Sequence, residues 1–289
     1  MESNKIEALV GLLNDDDPQS YDLIKHRILE IGSTAMPFLK NALEVSIDKL
    51  YSEKLNSLYH ELNINKTISD LQDWQQNNYT NLFQGLALLS QYQYPRLQIS
   101  SISSIVNKIR QDLWLELKDS NTALEKVKIF NHIFFKMHGF KGNSTDYYAP
   151  ENSFINDVLL SKKGSPITLS VIYSIVAQSV GVPIYGVNTP RNFMLVYLDQ
   201  MYSLPIDEIQ EKNVLFYINP FVEGEVHSLT DIFSYLKRIK HDVKTEYYLP
   251  CSNATIIRRS LNNIIVAYEK KGNVETAANY KKILTSINL

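Results

Sequence analysis

The chain has 289 residues, with 29 Lys+Arg against 31 Asp+Glu, for a formal net charge of −2. That balance argues against a strongly basic nucleic-acid binder and against an acidic tail protein. A hydrophobic share of 44% is globular, the single cysteine (Cys251) rules out an intramolecular disulfide, a thiolate zinc site or a CxxC redox pair, and only 10 glycines disfavour a glycine-rich phosphate loop.

The length allows about two domains, or one with helical attachments. The opening MESNKIEALVGLLNDDD has neither a basic start nor an apolar run of signal length, so the expected location is a reducing cytoplasm. Residues 164–190 lack Asp, Glu, Lys, Arg and His, yet Ser165, Thr168, Ser170, Ser174, Gln178 and Ser179 interrupt them and Gly181-Val182-Pro183 ends the run. They predict a buried helix followed by a buried strand, not a membrane span.

In chain order, Ile6, Leu9, Leu12 and Leu13 form one helical stripe, broken at Asp15-Asp16-Asp17-Pro18. Ile24, Ile28, Leu29 and Ile31 continue on a second helix stopped by Gly32, and Phe38, Leu39 and Leu43 mark a third after Pro37. This pattern is similar to a HEAT-type repeat, in which paired helices stack. Leu50, Leu55, Leu58 and Leu62 keep helical spacing, and Ser69 is a candidate cap for a further helix through Leu71 and Trp74. Helices are expected again from Leu82 to Leu89, ending by Pro95, from Ser100 to Leu117, and from Leu124 to Met137. Ser153 is a candidate cap for the helix bearing Phe154, Ile155, Val158 and Leu159. The period then changes. Val187, Phe193, Leu195, Tyr197, Leu215, Tyr217 and Phe221 fall in short runs that predict a small antiparallel sheet within residues 184–228. Residues 255–289 read as a helical hairpin turning at Lys270-Lys271-Gly272-Asn273.

Residues 131–228 carry Tyr147-Tyr148, Pro150, Asn152-Ser153, Gly164-x-Pro166-Ile167-x-Leu169-Ser170-x-x-Tyr173, Gly181-Val182-Pro183, Gly186-Val187, Pro190-x-x-Phe193 and Asn219-Pro220-Phe221. In this order and spacing they resemble the SirB-type family of transglutaminase-like proteins. The resemblance implies an α+β, mostly helical chain. A transglutaminase-like (papain-like) core at 121–250 would follow HEAT-like helices at 1–120 and precede a tetratricopeptide-like hairpin at 251–289.

Related enzymes use a Cys–His–Asp set. The thiol sits at a helix amino terminus that lowers its pKa, the histidine takes its proton, and the carboxylate orients the imidazole. Carried onto this chain, the thiol position falls at or next to Pro166, the histidine position on Asn192 and the carboxylate position on Asn219. Proline offers no nucleophile, and an amide neither accepts a proton near neutral pH nor stabilises an imidazolium by charge. The site is thus expected to be degenerate, with Tyr148, Asn152, Ser165, Ser170 and Phe193 as candidate cleft-lining residues.

Other groups have bland readings. Ser165 suits a helix cap, while Ser170, Ser174 and Gln178 share a face that either lines the old cleft or, the preferred reading, packs on the sheet. His227 could approach the cleft. Cys251, His132 and His138 read as structural, the acidic pairs Asp207-Glu208 and Glu223/Glu225 as solvated turns, and Lys237-Arg238-Ile239-Lys240-His241 as a solvated helix end. The expected function is non-catalytic binding of a protein or peptide, with no cofactor, metal, nucleic acid or membrane partner implied. The competing reading is an amide hydrolase or acyltransferase built on Ser165 or Ser170 with His227.

Overall fold

A computed structural model describes residues 2–15, 17–203 and 209–287. The chain divides into two compact units, Met1–Asp73 and Trp74–Leu289. The first unit is helical. Helix α1 (Glu2–Leu12) is followed by α2 (Pro18–Ile31), where the Asp17 side chain caps the start by accepting from the Ser20 N–H at 2.9 Å and Pro18 occupies the first turn. Gly32, at φ 72°, ends α2 in a conformation that favours glycine. Helices α3 (Met36–Val45) and α4 (Lys49–Asn77) complete the set. Ile6, Val10 and Leu13 meet Ile28, Leu39, Leu55, Leu58 and Leu62 in one buried cluster, each such side chain contributing about 2 kcal/mol by leaving water. Ser69 lies inside α4 and caps nothing: with no Gly or Pro between residues 49 and 77, the helix runs straight through it.

The second unit begins with α5 (Leu82–Gln93), capped by Asn81, then α6 (Ile99–Glu116) and α7 (Ala123–Asn131), which opens on a reciprocal Thr122–Glu125 capping box. The helix expected to reach Met137 does so only by switching to a π-helical turn over His132–Met137. Helix α8 (Ile155–Ser161) starts after Phe154, which makes no side-chain cap. Ser153 instead ends a 3-10 turn at Pro150–Ser153, because Pro150 starts a tighter turn upstream of the expected cap.

Helix α9 (Pro166–Ser179) is the centre of this unit, buried at every position from Pro166 to Ser174. It is mostly apolar because neighbours cover it, and its polar residues are Thr168, Ser170, Ser174, Gln178 and Ser179. Phe130 stacks on Tyr173 of α9 at 3.8 Å between ring centroids. Two short strands, β1 (Lys141–Gly142) and β2 (Lys163–Gly164), pair in parallel. The main sheet is antiparallel in the order β3 (Ile184–Val187), β4 (Met194–Leu198), β5 (Val214–Asn219), β6 (Glu225–His227). Strands β3 and β4 are buried at every residue, so they read as apolar runs without alternation. Tyr185, Val187, Met194, Val196 and Tyr217 pack with Ile232 and Leu236 of α10 (Leu229–Arg238), and α9 contacts β3 and β4 as well.

The outer side of β3 is occupied. Val187 forms an antiparallel bridge with Pro250, and the Cys251 N–H donates to the Gly186 carbonyl at 2.9 Å. The chain closes with the hairpin α11 (Asn253–Lys270) and α12 (Val274–Ser286), with Gly272 at φ 78° in the turn. Among the described residues, no helix is long and apolar enough to cross a membrane.

Candidate functional site

Pro166 stands at the first position of α9, after Ser165, whose hydroxyl accepts from the Thr168 N–H at 3.4 Å and lies 3.0 Å from the Thr168 hydroxyl. The place that a helix dipole would activate is filled by a buried pyrrolidine ring. The polar face of α9 is spent on backbone carbonyls: Ser170 donates to Phe193, Ser174 to Val171, and Gln178 to Ile184 at 2.8 Å. Ser170 is fully buried, and so is Phe193, whose ring lies against Gly186, so neither presents a surface to a ligand as expected of a cleft-lining residue. In both cases burial against the sheet wins, since α9 packs directly on β3 and β4.

Asn152 is an internal fastener. Its Nδ2 donates to the carbonyls of Asp146 (2.7 Å) and Tyr147 (3.2 Å), its Oδ1 accepts from Asn143 (2.9 Å), and its carbonyl accepts from the Ser165 N–H. The 143–148 loop is thereby tied to the start of α9. Tyr147 meets Phe221 edge-on at 6.0 Å, and Tyr148 is half exposed beneath the Lys270 ammonium.

Asn192 and Asn219 come together. Asn192 immediately precedes the Phe193–Met194 entry to β4, and Asn219 ends β5, so the antiparallel pairing puts both at one end of the sheet. They line a cavity of about 500 Å³ with Glu225 and His227 of β6 and Asp231, Tyr235 and Arg238 of α10. The Asn219 Oδ1 accepts from the Phe221 N–H at 3.2 Å. A backbone N–H can only donate, so this bond fixes which end of the amide is the oxygen and leaves Nδ2 as the donor end.

Residues 99–262 match the family described as the transglutaminase-like superfamily, more than half of the chain. The chain belongs to that superfamily. It is also similar to a UPF0162 protein of Xylella fastidiosa strain 9a5c, 26% identical over 197 residues and covering 66% of each chain. A UPF0162 protein of strain Temecula1 is 31% identical over 121 residues, 42% of this chain and 41% of the relative. Human F-box only protein 21 is 25% identical over 248 residues, 78% of this chain and 38% of that one. The chain thus spans two thirds or less of the length of these relatives. No solved structure matches it significantly.

In this transglutaminase-like chain the cavity's charged side chains are the acids Glu225 and Asp231 and the one guanidinium of Arg238, with His227 beside them. Asp231 accepts from the Ser228 N–H and hydroxyl, both at 2.7 Å, which holds its carboxyl below the usual range. Glu225 faces the His227 Nε2 at 3.6 Å. Arg238 lies over the Tyr235 ring at 5.5 Å, and Arg191, Arg238 and Arg259 all act on the Tyr235 phenol. Burial raises the pKa of that phenol; the three cations oppose the rise. Arg259 is desolvated enough to lower its own pKa, and its recorded hydrogen bond runs to Asn188 Oδ1 at 3.3 Å. None of the three pairs with a carboxylate among the described residues.

Sequence reading placed neither Tyr235 nor Arg259 here and read Arg238 as part of a solvated run. The available signal was the Tyr235/Arg238 spacing, which puts both on one face of α10. His138 bonds Asp112 at 2.9 Å, Lys136 pairs with Glu223, and Asp207-Glu208 lie outside the described residues. Among the described residues no group of three or more His, Cys, Asp or Glu could hold a metal ion.

Cys251 is not a poised thiol. Burial pushes its pKa from the ordinary 9.0 up to about 12, only partly opposed by a backbone hydrogen bond and by Arg259. Reaction with an aromatic disulfide reagent at pH 8 is expected to be at least about a hundredfold slower in the folded chain than after unfolding in guanidinium. Equal rates would show an accessible, ionisable sulfur. Because the folded pKa is the raised one, the thiol's contribution to stability is complete below pH 9.0 and is lost as pH climbs toward about 12.

Proposed function

We propose that this protein is a non-catalytic member of the transglutaminase-like superfamily, of SirB type, that binds a protein or peptide partner at its degenerate cleft. The carrying observation is that Asn192 and Asn219 share one cavity, which Pro166 at the α9 start does not line. None of these groups can attack a carbonyl or shuttle a proton near neutral pH. The binding half of the reading draws support from the open cavity that Asn192 and Asn219 line. It also draws on the helical pairs, HEAT-like in the first unit and tetratricopeptide-like in α11–α12, which belong to classes that present surfaces to other chains. A relative named as an F-box protein carries the matching segment within a longer chain. We place the protein in the cytoplasm.

The competing hydrolase or acyltransferase reading needs a hydroxyl on an imidazole. Ser165 and Ser170 are bonded to Thr168 and Phe193, and neither bonds to a histidine among the described residues. The test is turnover of a generic peptide ester and amide by the wild type and by the triple variant Pro166→Cys, Asn192→His, Asn219→Asp. No turnover above buffer is expected from the wild type and little from the variant, since buried Ser170 and Phe193 and the arginines around Tyr235 remain. Turnover proportional to wild-type concentration and abolished by one cavity substitution would overturn the non-catalytic reading. Robust cysteine-dependent turnover by the triple variant would refute the expectation of a drifted frame.

A further inference from the structure

The 143–148 loop and the turn after β5 carry an aromatic patch outside the cavity. Tyr148 meets Tyr147 edge-on at 5.1 Å between ring centroids and 84° between planes, and Tyr147 meets Phe221 in the same way at 6.0 Å and 83°. None of the three is among the residues lining the Asn192–Asn219 cavity. The two tyrosines are 43% and 46% exposed, and Phe221 is half-buried. These rings are held from below. The Tyr147 carbonyl accepts from Asn152 Nδ2, Asp146 pairs with Lys271 at 2.9 Å, and the Phe221 ring lies so close to Gly142 that a methyl built there would meet it at 2.7 Å. A surface fixed before its partner arrives loses little freedom on binding.

The polar groups of the patch are two phenols and an ammonium, all able to donate. Among the described residues neither phenol hydroxyl makes a hydrogen bond, and the Lys270 ammonium, 5.8 Å over the Tyr148 ring, pairs with no carboxylate. The nearby acid, Asp146, is taken by Lys271. A matching partner brings flat apolar groups, free carbonyls and few N–H groups. A helix spends its carbonyls internally, and an ordinary extended strand brings an N–H for every carbonyl. A polyproline II segment has no internal hydrogen bonds, leaves its carbonyls open and, at each proline, has no N–H to satisfy. Its pyrrolidine rings fit the right-angled corners between perpendicular aromatic rings. We propose that Tyr147, Tyr148 and Phe221 dock a proline-rich segment in the polyproline II conformation. The two phenols donate to its carbonyls, and an acidic residue at its end faces Lys270, the charge that the patch leaves unpaired. This surface goes beyond the cavity reading and stands without it.

The test is calorimetric titration of the full-length protein with a decapeptide of Ala-Pro-Pro repeats ending in Asp, amidated at its carboxyl end. The comparisons are the same peptide with Ser for every Pro and the same peptide ending in Asn. The proline peptide is expected to outbind the Ser peptide by about tenfold or more, because it arrives extended and carries the rings. Tyr147→Ala and Tyr148→Ala are each expected to weaken binding by about tenfold. Tyr147→Phe and Tyr148→Phe keep the rings and remove the donors, so each is expected to lose about threefold. Asn for the terminal Asp should cost about threefold with the wild type and nothing with Lys270→Ala. Trp114→Ala, which removes an exposed ring on α6, should leave binding unchanged. Equal affinity for the Pro and Ser peptides, or an equal loss with Trp114→Ala, overturns the docking site. Losses with the Ala variants but none with either Phe variant overturn the hydrogen-bonded polyproline mode in favour of plain apolar contact. An Asp preference that survives Lys270→Ala overturns the assignment of Lys270. No binding of the proline peptide overturns the proposal and leaves the cavity reading standing.

Discussion

Gly224→Ala is expected to destabilise the second unit by about 3 kcal/mol or more, summing backbone strain, overpacking and a lost hydrogen bond. Gly224 sits at φ 76°, and a methyl built on it would lie 2.1 Å from Asn131 Oδ1. Asn131 cannot easily retreat. Its Oδ1 accepts from the Tyr173 hydroxyl at 2.9 Å, and its Nδ2 donates to the Gly224 carbonyl at 3.0 Å. Tyr173 in turn is fully buried in α9. The Gly224 N–H also donates to the Asn219 carbonyl at 3.0 Å, so displacement here travels to the cavity. Gly181→Ala is the matched control: φ is 74° but nothing lies within 4 Å, so only the strain, about 1 kcal/mol, is expected. Guanidinium melts of the two variants compare them directly. Equal losses would mean that the Asn131 contact contributes nothing.

Asn152→Ala should cost about 2 kcal/mol, since it removes a buried side chain that bonds the Asp146 and Tyr147 carbonyls and the Asn143 amide, of which the Asp146 carbonyl keeps the Ala149 N–H. The loss should be accompanied by faster amide exchange across residues 143–148, because this side chain is one of the ties on that loop, beside the Asp146–Lys271 ion pair and the Asn143 N–H to Gly164 bond. Asn152→Asp sharpens the test. A carboxylate placed against two carbonyl oxygens has its folded pKa raised above the unfolded value, so the variant is expected to be more stable at pH 4 than at pH 7. A flat pH profile for Asn152→Asp would show that the side chain does not face those carbonyls.

Much of the helical frame was legible because burial imposes a period. The stripes over α5 and α6 repeat at three and four residues, and Gly272 marks the hairpin turn by the backbone it allows. What failed were boundaries set by neighbours. Ser69 resembles a cap, yet nothing nearby breaks α4. Ser153 was expected to cap α8, but Pro150 had already begun a tighter turn. The site divided along the same line. Asn192 and Asn219 were legible because a chain motif fixes each near a strand end, and the sheet register brings those ends together. Phe193 and Ser170 belong to the same motifs, but their burial depends on how closely α9 lies under the sheet, which no periodicity encodes. Tyr235, Arg238 and Arg259 were illegible as a group. Tyr235 and Arg238 lie on a helix distant in sequence from Asn192, and only the docking of α10 on the sheet turns these surface-type residues into cavity-lining ones; Arg259, on α11, bonds Asn188 instead.

The bridge from Val187 to Pro250 has a consequence for how the folded chain behaves in company. A free outer strand offers a row of unsatisfied amides to any passing extended polypeptide, and that is how soluble sheets seed fibrils and strand exchange. Here one flank is already sealed by a residue that cannot donate, followed by Cys251, whose N–H is consumed by Gly186. The opposite flank, β6, is only the three residues Glu225–His227, with a carboxylate and an imidazole on either side of Val226. Crowded solutions of this protein should therefore stay free of ribbon-like growth through the β3 side of the sheet.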